Sequence, residues 1–406
     1  MDNKILMIIF DGIGDRPVKE LDDKTPLEAA NTPNLDLLAE KGINGIMDTI
    51  SPGIRPGSDT GHLAMLGYNP FDVYTGRGPF EAAGIGLELK PEYVAFRCNF
   101  ATVDNGKITN RRAGRIKEGT KELAEAVNDI DLGVDFHFQE AVEHRGVLLF
   151  KEKGLGAQVT DVDPHGPGGE YHESKSSIDN EVNRKTAEII NEFTKKSYEV
   201  LTDHPVNRKR EEEGKPPANI ILSRGSGEVP KIKSIEEKYD LKAAGITGIP
   251  LVKGVCRLAG MDIIDVKGAT GGLDTDIEGM MISAKKALED YNFVLVNVKG
   301  CDLLGHDGKA IEKKEFIEKL DKSISRFHDI EDTYCAFTGD HSTPVDVKGH
   351  SGDPLPLTIC GTGVRTDQVQ KFNERSCAGG GLGRITGNDL FNTLLDLANK
   401  AEKFGA

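Results

Sequence analysis

Residues Tyr291–Gly308 read "YNFVLVNVKGCDLLGHDG", an apolar, β-branched run that stops abruptly at lysine, glycine and aspartate. A short run without polar alternation is the mark of a strand buried on both faces, as in a parallel sheet. Behind it stand Asp302 and His306, four residues apart. That spacing puts both side chains on one helical face, where they can share an ion.

The same phrase recurs outward along the chain. "KILMIIFDGIG" (4–14) is a buried strand ending at Asp11, and "TYCAFTGDH" (333–341) is another ending at Asp340 and His341. "LPLTICG" (355–361) adds a further strand. Between strands lie amphipathic helices: "NTPNLDLLAEKG" (31–42), with Thr32 placed to cap, Pro33 at the first helical position and Gly42 as the stop; "AIEKKEFIEKLDKSISRFHDI" (310–330); and "GNDLFNTLLDLANKA" (387–401). The two ends of the chain are therefore halves of one doubly wound, mostly parallel α/β core, a fold that binds ligands at the carboxyl ends of its strands.

The middle has another texture. "YVAFRCNFATV" and "RGVLLFKEKG" are β-rich pieces among charged loops such as "NRKREEEGKPP". They predict an α+β cap domain, residues 91–217, inserted into a core formed by 1–90 and 218–406.

Composition bounds the partners. Among 406 residues, 51 Lys+Arg against 66 Asp+Glu give a net charge of -15, which argues against nucleic acid or an anionic membrane as the main partner. The six cysteines form no CxxC pair, so a reducing, cytoplasmic setting is expected. The apolar run near the start is too short to span a membrane, and no signal-peptide pattern follows it.

The chemistry lies in the strand ends. Asp11, Asp302, His306, Asp340, His341 and His350 all fall in loops at the carboxyl ends of expected strands. Adjacent Asp340 and His341 diverge and can serve two metals of a bridged pair. Mixed Asp/His ligation suits Mn²⁺ or Zn²⁺ and is compatible with Mg²⁺ or Co²⁺, and two such ions form a clamp for phosphoryl displacement. Ser58, in "SPGIRPGSDTGHL" (51–63), sits where a helix begins. By itself it is a helix cap; beside the metal-type residues it is the hydroxyl that attacks phosphorus. For Asp59, capping and support of the site stand equally. His62 is expected to pack or to support the site, and His137, His144 and His328 to lie on the surface or in the core.

Together "FDGIGDRP", "SDTGHLAMLGYNP", "YTGRGPFEAAGIGL", "VTDVDPHG", "KGCDLLGHDG", "TGDHSTP" and "GGGLGRITGNDL" resemble the archaeal-type 2,3-bisphosphoglycerate-independent phosphoglycerate mutases of the alkaline phosphatase superfamily. The resemblance implies an alkaline-phosphatase-like core and two divalent ions, Mn²⁺ foremost, with no 2,3-bisphosphoglycerate. It implies Asp302, His306 and His350 on one ion, and Asp11, Ser58, Asp340 and His341 on the other. It also implies that Ser58 is the residue phosphorylated. Bacterial members carry an Asn-Ser-Glu context where this chain has Gly57-Ser58-Asp59, so the roles of the neighbours transfer less directly.

The implied substrate, 3- or 2-phosphoglycerate, carries a phosphate and a carboxylate, for which Arg and Lys are the natural partners. The candidates are Asp163 and His165 of "DVDPHG", Arg184, Arg224 and Lys253. The cluster Gly379–Gly383 reads as a phosphate approach or a plain turn. In the expected cycle phosphate moves to Ser58, glycerate reorients under the cap, and its other hydroxyl takes the phosphate back. Closure would hinge near residues 90 and 220 and exclude the water that would make a phosphatase of the mutase. The alternatives are another metal-dependent phosphoryl transferase or phosphatase on the same core, phosphopentomutase-like or homoserine-kinase-like, and a non-catalytic metal-binding protein.

Overall fold

A computed structural model of the protein describes residues 3–166, 168–403 and 405. Among them the strands are β1 (Lys4–Phe10), β2 (Ile43–Asp48), β3 (Val94–Asp104), β4 (Lys107–Asn110), β5 (Phe136–Glu140), β6 (Arg145–Phe150), β7 (Ile220–Glu228), β8 (Ala243–Thr247), β9 (Asp262–Ile263), β10 (Phe293–Val298), β11 (Thr333–Thr338), β12 (Leu355–Cys360) and β13 (Gly383–Thr386). The chain divides into two compact units, Met1–Val73 with Ile232–Ala406, and Tyr74–Lys231.

The first unit is α/β, built on an eight-stranded sheet in the order β13-β2-β12-β11-β1-β10-β8-β9. Its pairings are parallel except where β12 lies between β11 and β2, so β12 alone runs against the others. The central strand β1 is buried from Ile5 to Phe10, as a strand covered by helices on both faces must be. Registry then sets the site: Phe10 stands beside Val298, and Ile9 beside Thr338, so the residues that follow all three strands emerge at one edge. The loop after β1 lies close against the next segment. Gly12 has φ +73°, and a Cβ there would sit 2.6 Å from the Cα of Asp302, so only glycine lets the two loops approach.

The second unit centres on β3, which pairs antiparallel with β4, β6 and β7, while β5 extends the sheet beyond β6. Alternation along β3 divides its residues between two faces. Val94, Phe96, Cys98 and Phe100 enter a core with Leu123, Val127, Ile190 and Phe193 of the helices Thr120–Asn128 and Glu181–Thr202. Ala95 lies on the other face with Val147, Leu149 and Ala82, the last from the helix Gly78–Gly84.

The inserted unit is thus wider at both ends than the 91–217 expected. The apolar pieces at its borders have no sequence mark that separates them from core. Only their packing places them: the helix Gly78–Gly84 covers β3, and β7 is the edge-to-edge partner of β3 over its length.

Candidate functional site

The carboxyl ends of β1, β10 and β11 gather three buried carboxylates, Asp11, Asp302 and Asp340. Asp302 and His306 lie on the short helix Gly300–Asp307 that begins just after β10. The Nε2 atoms of His306 and His350 stand 3.4 and 3.3 Å from the same oxygen, Asp302 Oδ1. His350 is held from behind, its Nδ1 2.7 Å from the carbonyl oxygen of Pro56. Its ring stacks on His341 with centroids 3.5 Å apart. Two groups of donor atoms are compact enough to hold an ion: Asp302, His341 and His350, and Asp11, Asp340 and His341. His341 belongs to both, and His306 stands at the rim of the first.

Ser58 is the first residue of the helix Ser58–Met65, and the cap is Gly57, whose N–H donates to Thr60 Oγ1. Its hydroxyl therefore has no capping duty. It lies 3.2 Å from His341 Nε2, and that nitrogen is in turn 3.6 Å from Asp11 and 3.3 Å from Asp340. Asp59 turns back on its own helix, with Oδ1 accepting from the Thr60 N–H. His62 is fully buried beneath the serine, Nδ1 2.6 Å from the Ser58 carbonyl oxygen and Nε2 3.2 Å from Asn297 Nδ2. Asn297 also donates to Asp11 Oδ2.

Electrostatics here are those of crowded, buried carboxylates. Burial raises the pKa of Asp11, and the neighbouring Asp340 raises it further. Burial also pushes Asp302 up, yet Lys299 and the surrounding histidines prevail and hold it well below the usual carboxylate range. Lys299, which no sequence argument singled out, bridges the two with Nζ 3.2 Å from Asp11 and 2.7 Å from Asp302. Burial takes His341 down to about 3, which keeps the imidazole neutral and its lone pair free for an ion. Asp340 Oδ2 is buried and makes no hydrogen bond among the described residues. An orphaned carboxylate oxygen amid His and Asp donors fits divalent cations.

The second unit carries a cluster of the opposite sign. Arg97 on β3 stands opposite Arg224 on β7, and Asn99 opposite Arg145 on β6, so these four share the face that carries Ala95. Glu81 answers part of this charge, with Arg77 Nε at 2.9 Å and Arg97 Nη1 at 3.4 Å. The Nε atoms of Arg97, Arg145 and Arg224 are buried without a hydrogen bond among the described residues. Burial together with Arg145, Arg112, Arg97 and Arg115 takes His144 down to about 3. The field is strongly positive.

Three of the substrate candidates belong to this cluster. Asp163 is clasped by Arg111 through bonds of 2.5 and 2.7 Å and accepts the His165 N–H, while Arg224 approaches both Asp163 and the His165 ring. The other two lie elsewhere. Arg184 is on the exposed first turn of its helix, paired with Asp179, and Lys253 donates to Asp265. Both are cations in polar segments, and each has its own local acid. The glycine cluster is a tight turn: a Cβ at Gly380 would meet the Asn44 carbonyl oxygen at 2.2 Å, and the Gly381 N–H donates to Asp367. The arginine face could have been suspected from Arg97, a charge in the middle of an apolar strand. Arg145 and Arg224 give no such sign until strand register is known.

A protein-family profile described as 2,3-bisphosphoglycerate-independent phosphoglycerate mutase matches residues 39–207. The chain is 52% identical to a Methanothermobacter thermautotrophicus protein of that name over 99% of this chain and all of the relative. A solved structure from Pyrococcus horikoshii shares 43% identity with a TM-score of 0.89, each chain covered in full. A cofactor-independent phosphoglycerate mutase from Thermoplasma acidophilum shares 38% identity with a TM-score of 0.73, covering 98% of this chain and all of that one.

Proposed function

We propose, on the premise that this chain belongs to the 2,3-bisphosphoglycerate-independent phosphoglycerate mutase family, a family of isomerases, that it interconverts 3-phosphoglycerate and 2-phosphoglycerate through a phosphoserine at Ser58. The observation that carries this reading is the Ser58 hydroxyl. It is free of capping and 3.2 Å from His341 Nε2, the nitrogen that lies 3.3 Å from the orphaned oxygen of Asp340.

The residues divide the work. Asp302, His306 and His350 would hold one divalent ion, and Asp11, Asp340, His341 and the Ser58 oxygen the other, with Mn²⁺ the ion these donors suit best and Zn²⁺, Mg²⁺ or Co²⁺ compatible. When bound, such ions lower the pKa of a serine hydroxyl and offset charge on a transferring phosphoryl group. Ser58, its backbone held at a helix start by Gly57 and His62, would present Oγ to phosphorus. Lys299, whose Nζ bridges Asp11 and Asp302, is a cation that would serve a phosphate if divalent ions held those carboxylates. The smaller unit serves as the substrate-recognition domain, with Arg97, Arg145, Arg224 and His165 as partners for the substrate's anionic ends. Arg111 holds Asp163 in place and fixes the loop that carries His165.

The test is product analysis on metal-depleted protein reloaded with Mn²⁺ and given 3-phosphoglycerate without any bisphosphoglycerate. The expected result is 2-phosphoglycerate with little free phosphate. Phosphate release with no 2-phosphoglycerate overturns the isomerase assignment in favour of a phosphatase.

A further inference from the structure

Thr343 stands two residues beyond His341, fully buried. Its hydroxyl lies 3.0 Å from His341 Nδ1 and donates to Asp302 Oδ1 at 2.8 Å. A carboxylate can only accept, so the one hydroxyl hydrogen is committed to Asp302. The same oxygen must then accept from the Nδ1–H of His341, which fixes the tautomer and leaves Nε2 bare. Nε2 is the atom that faces Ser58, Asp11 and Asp340. A single hydroxyl thus links a carboxylate of one donor group to the histidine that both groups share.

The backbone of Thr343 is anchored as firmly as its side chain. Its N–H donates to the Gly14 carbonyl, and its own carbonyl accepts from Lys313 Nζ at 3.0 Å. Lys313 is fully buried, paired with Asp15 at 2.8 Å, and donates to Gly14 as well. Asp15 in turn accepts from the Val345 N–H, so the turn carrying Thr343 is held on both sides. Anchoring of this kind keeps a hydroxyl where a flexible loop would let it wander.

We propose that Thr343 is a positioning residue that orients His341 and Asp302 together, so that the affinities of the two ion sites rise or fall as one. The inference rests on the two-ion reading above. Metal-depleted protein is titrated with Mn²⁺ by calorimetry, for the wild type, Thr343→Val and Thr343→Ser, and the metal-free melting temperature of each is recorded. Valine keeps the shape and removes the hydroxyl. The expected result is a loss of roughly 10- to 100-fold in affinity at both sites, the scale for losing a partner that orients a metal ligand, with the metal-free melting temperature unchanged and affinity restored in the serine variant. Full affinity in the folded valine variant overturns the inference, as does an equal loss in the serine variant. A drop in metal-free stability that matches the lost affinity also overturns it, by making Thr343 merely structural. Should valine fail to fold, Thr343→Ala removes the same hydroxyl with less bulk and is read the same way. Wild-type protein that takes up fewer than two ions overturns the two-ion reading itself, and that control separates the two failures.

Discussion

At the strand ends of the parallel sheet, Asp11, Asp302 and Asp340 crowd together around Lys299 and the neutral imidazole of His341. On the antiparallel sheet of the smaller unit, Arg97, Arg145 and Arg224 crowd together with Glu81 and Asp163 as the acids in contact with Arg97 and Arg224. Each cluster leaves buried polar atoms unpaired, a carboxylate oxygen in one and guanidinium nitrogens in the other. Burying unpaired charge is costly, so each arrangement is suited to a partner of opposite charge. One offers carboxylate and imidazole atoms of the kind that suit cations, and the other guanidinium donors of the kind that suit an anion. The fold decides which chemistry each can do: parallel strands bring loops to one edge, where ligands can encircle an ion, whereas a sheet face offers a flat row of donors suited to a carboxylate or phosphate.

The sharpest way to break this comparison is Ser58→Ala. If the acidic cluster does the chemistry, isomerase activity should fall roughly 10³-fold or more, the scale for loss of a covalent nucleophile. The melting temperature should hardly move, because Gly57 and Thr60 cap the helix without the serine. Turnover retained in this variant removes the phosphoserine from the mechanism.

Asp340→Asn comes next. It keeps the shape and removes one of three clustered charges, and activity at fixed Mn²⁺ should drop by roughly 10²-fold, recovering in part as Mn²⁺ is raised. Stripping the ions should lower the wild-type unfolding free energy by about 3 kcal/mol for each ion removed, relative to Mn²⁺ at 100 times its dissociation constant. Unfolding that ignores Mn²⁺ would separate the acidic cluster from metal binding.

The basic cluster should respond differently. Arg145→Gln and Arg224→Gln each remove charge-assisted donors, so KM for 3-phosphoglycerate should rise roughly 10- to 100-fold while kcat changes less. Steady-state kinetics over substrate concentration check this. An unchanged KM in both variants reassigns the arginines to structure.

The two clusters also differ in how far the chain announces them. Asp11, Asp302, Asp340 and His341 lie within a few residues of an apolar strand, and buried parallel strands are legible as uninterrupted runs, so ligand and scaffold are read in one phrase. The direction of β12 was less accessible, since an apolar run looks the same whichever way the strand points. Arg97, Arg145 and Arg224 come from three strands and meet only through register. Register is set by packing on the opposite face, where Phe96 and Phe100 enter the core, and no local motif reports it. Lys299 was hidden for another reason: a lysine after a strand is ordinary until the carboxylates on both sides of it are seen in space. Arg184 and Lys253 show the converse, since type and neighbourhood in sequence cannot tell a cation kept for a ligand from one that pairs with the nearest acid.

Glu374 offers the smallest and cleanest contrast, a carboxylate in the same unit as the acidic cluster that has no cation to receive. It begins the helix Glu374–Cys377 and accepts from the Asp15 N–H and the Thr25 hydroxyl. Burial raises its pKa from an ordinary 4.5 to about 7, against the pull of its hydrogen bonds. The relief available to it is a proton. Between pH 4.5 and 7 the folded chain keeps a proton that the unfolded chain has released, so rising pH disfavours folding through this residue. The slope approaches 1.4 kcal/mol per pH unit and ends above pH 7, for about 3 kcal/mol in all. Urea unfolding of wild type and Glu374→Gln at saturating Mn²⁺ should give a stability difference that shifts in favour of the variant from pH 5 to 7 and then levels. A difference flat across that range would mean that Glu374 is already ionised in the folded chain, paired by something other than a proton. It would then join Asp302 among the carboxylates that this unit holds in charged form.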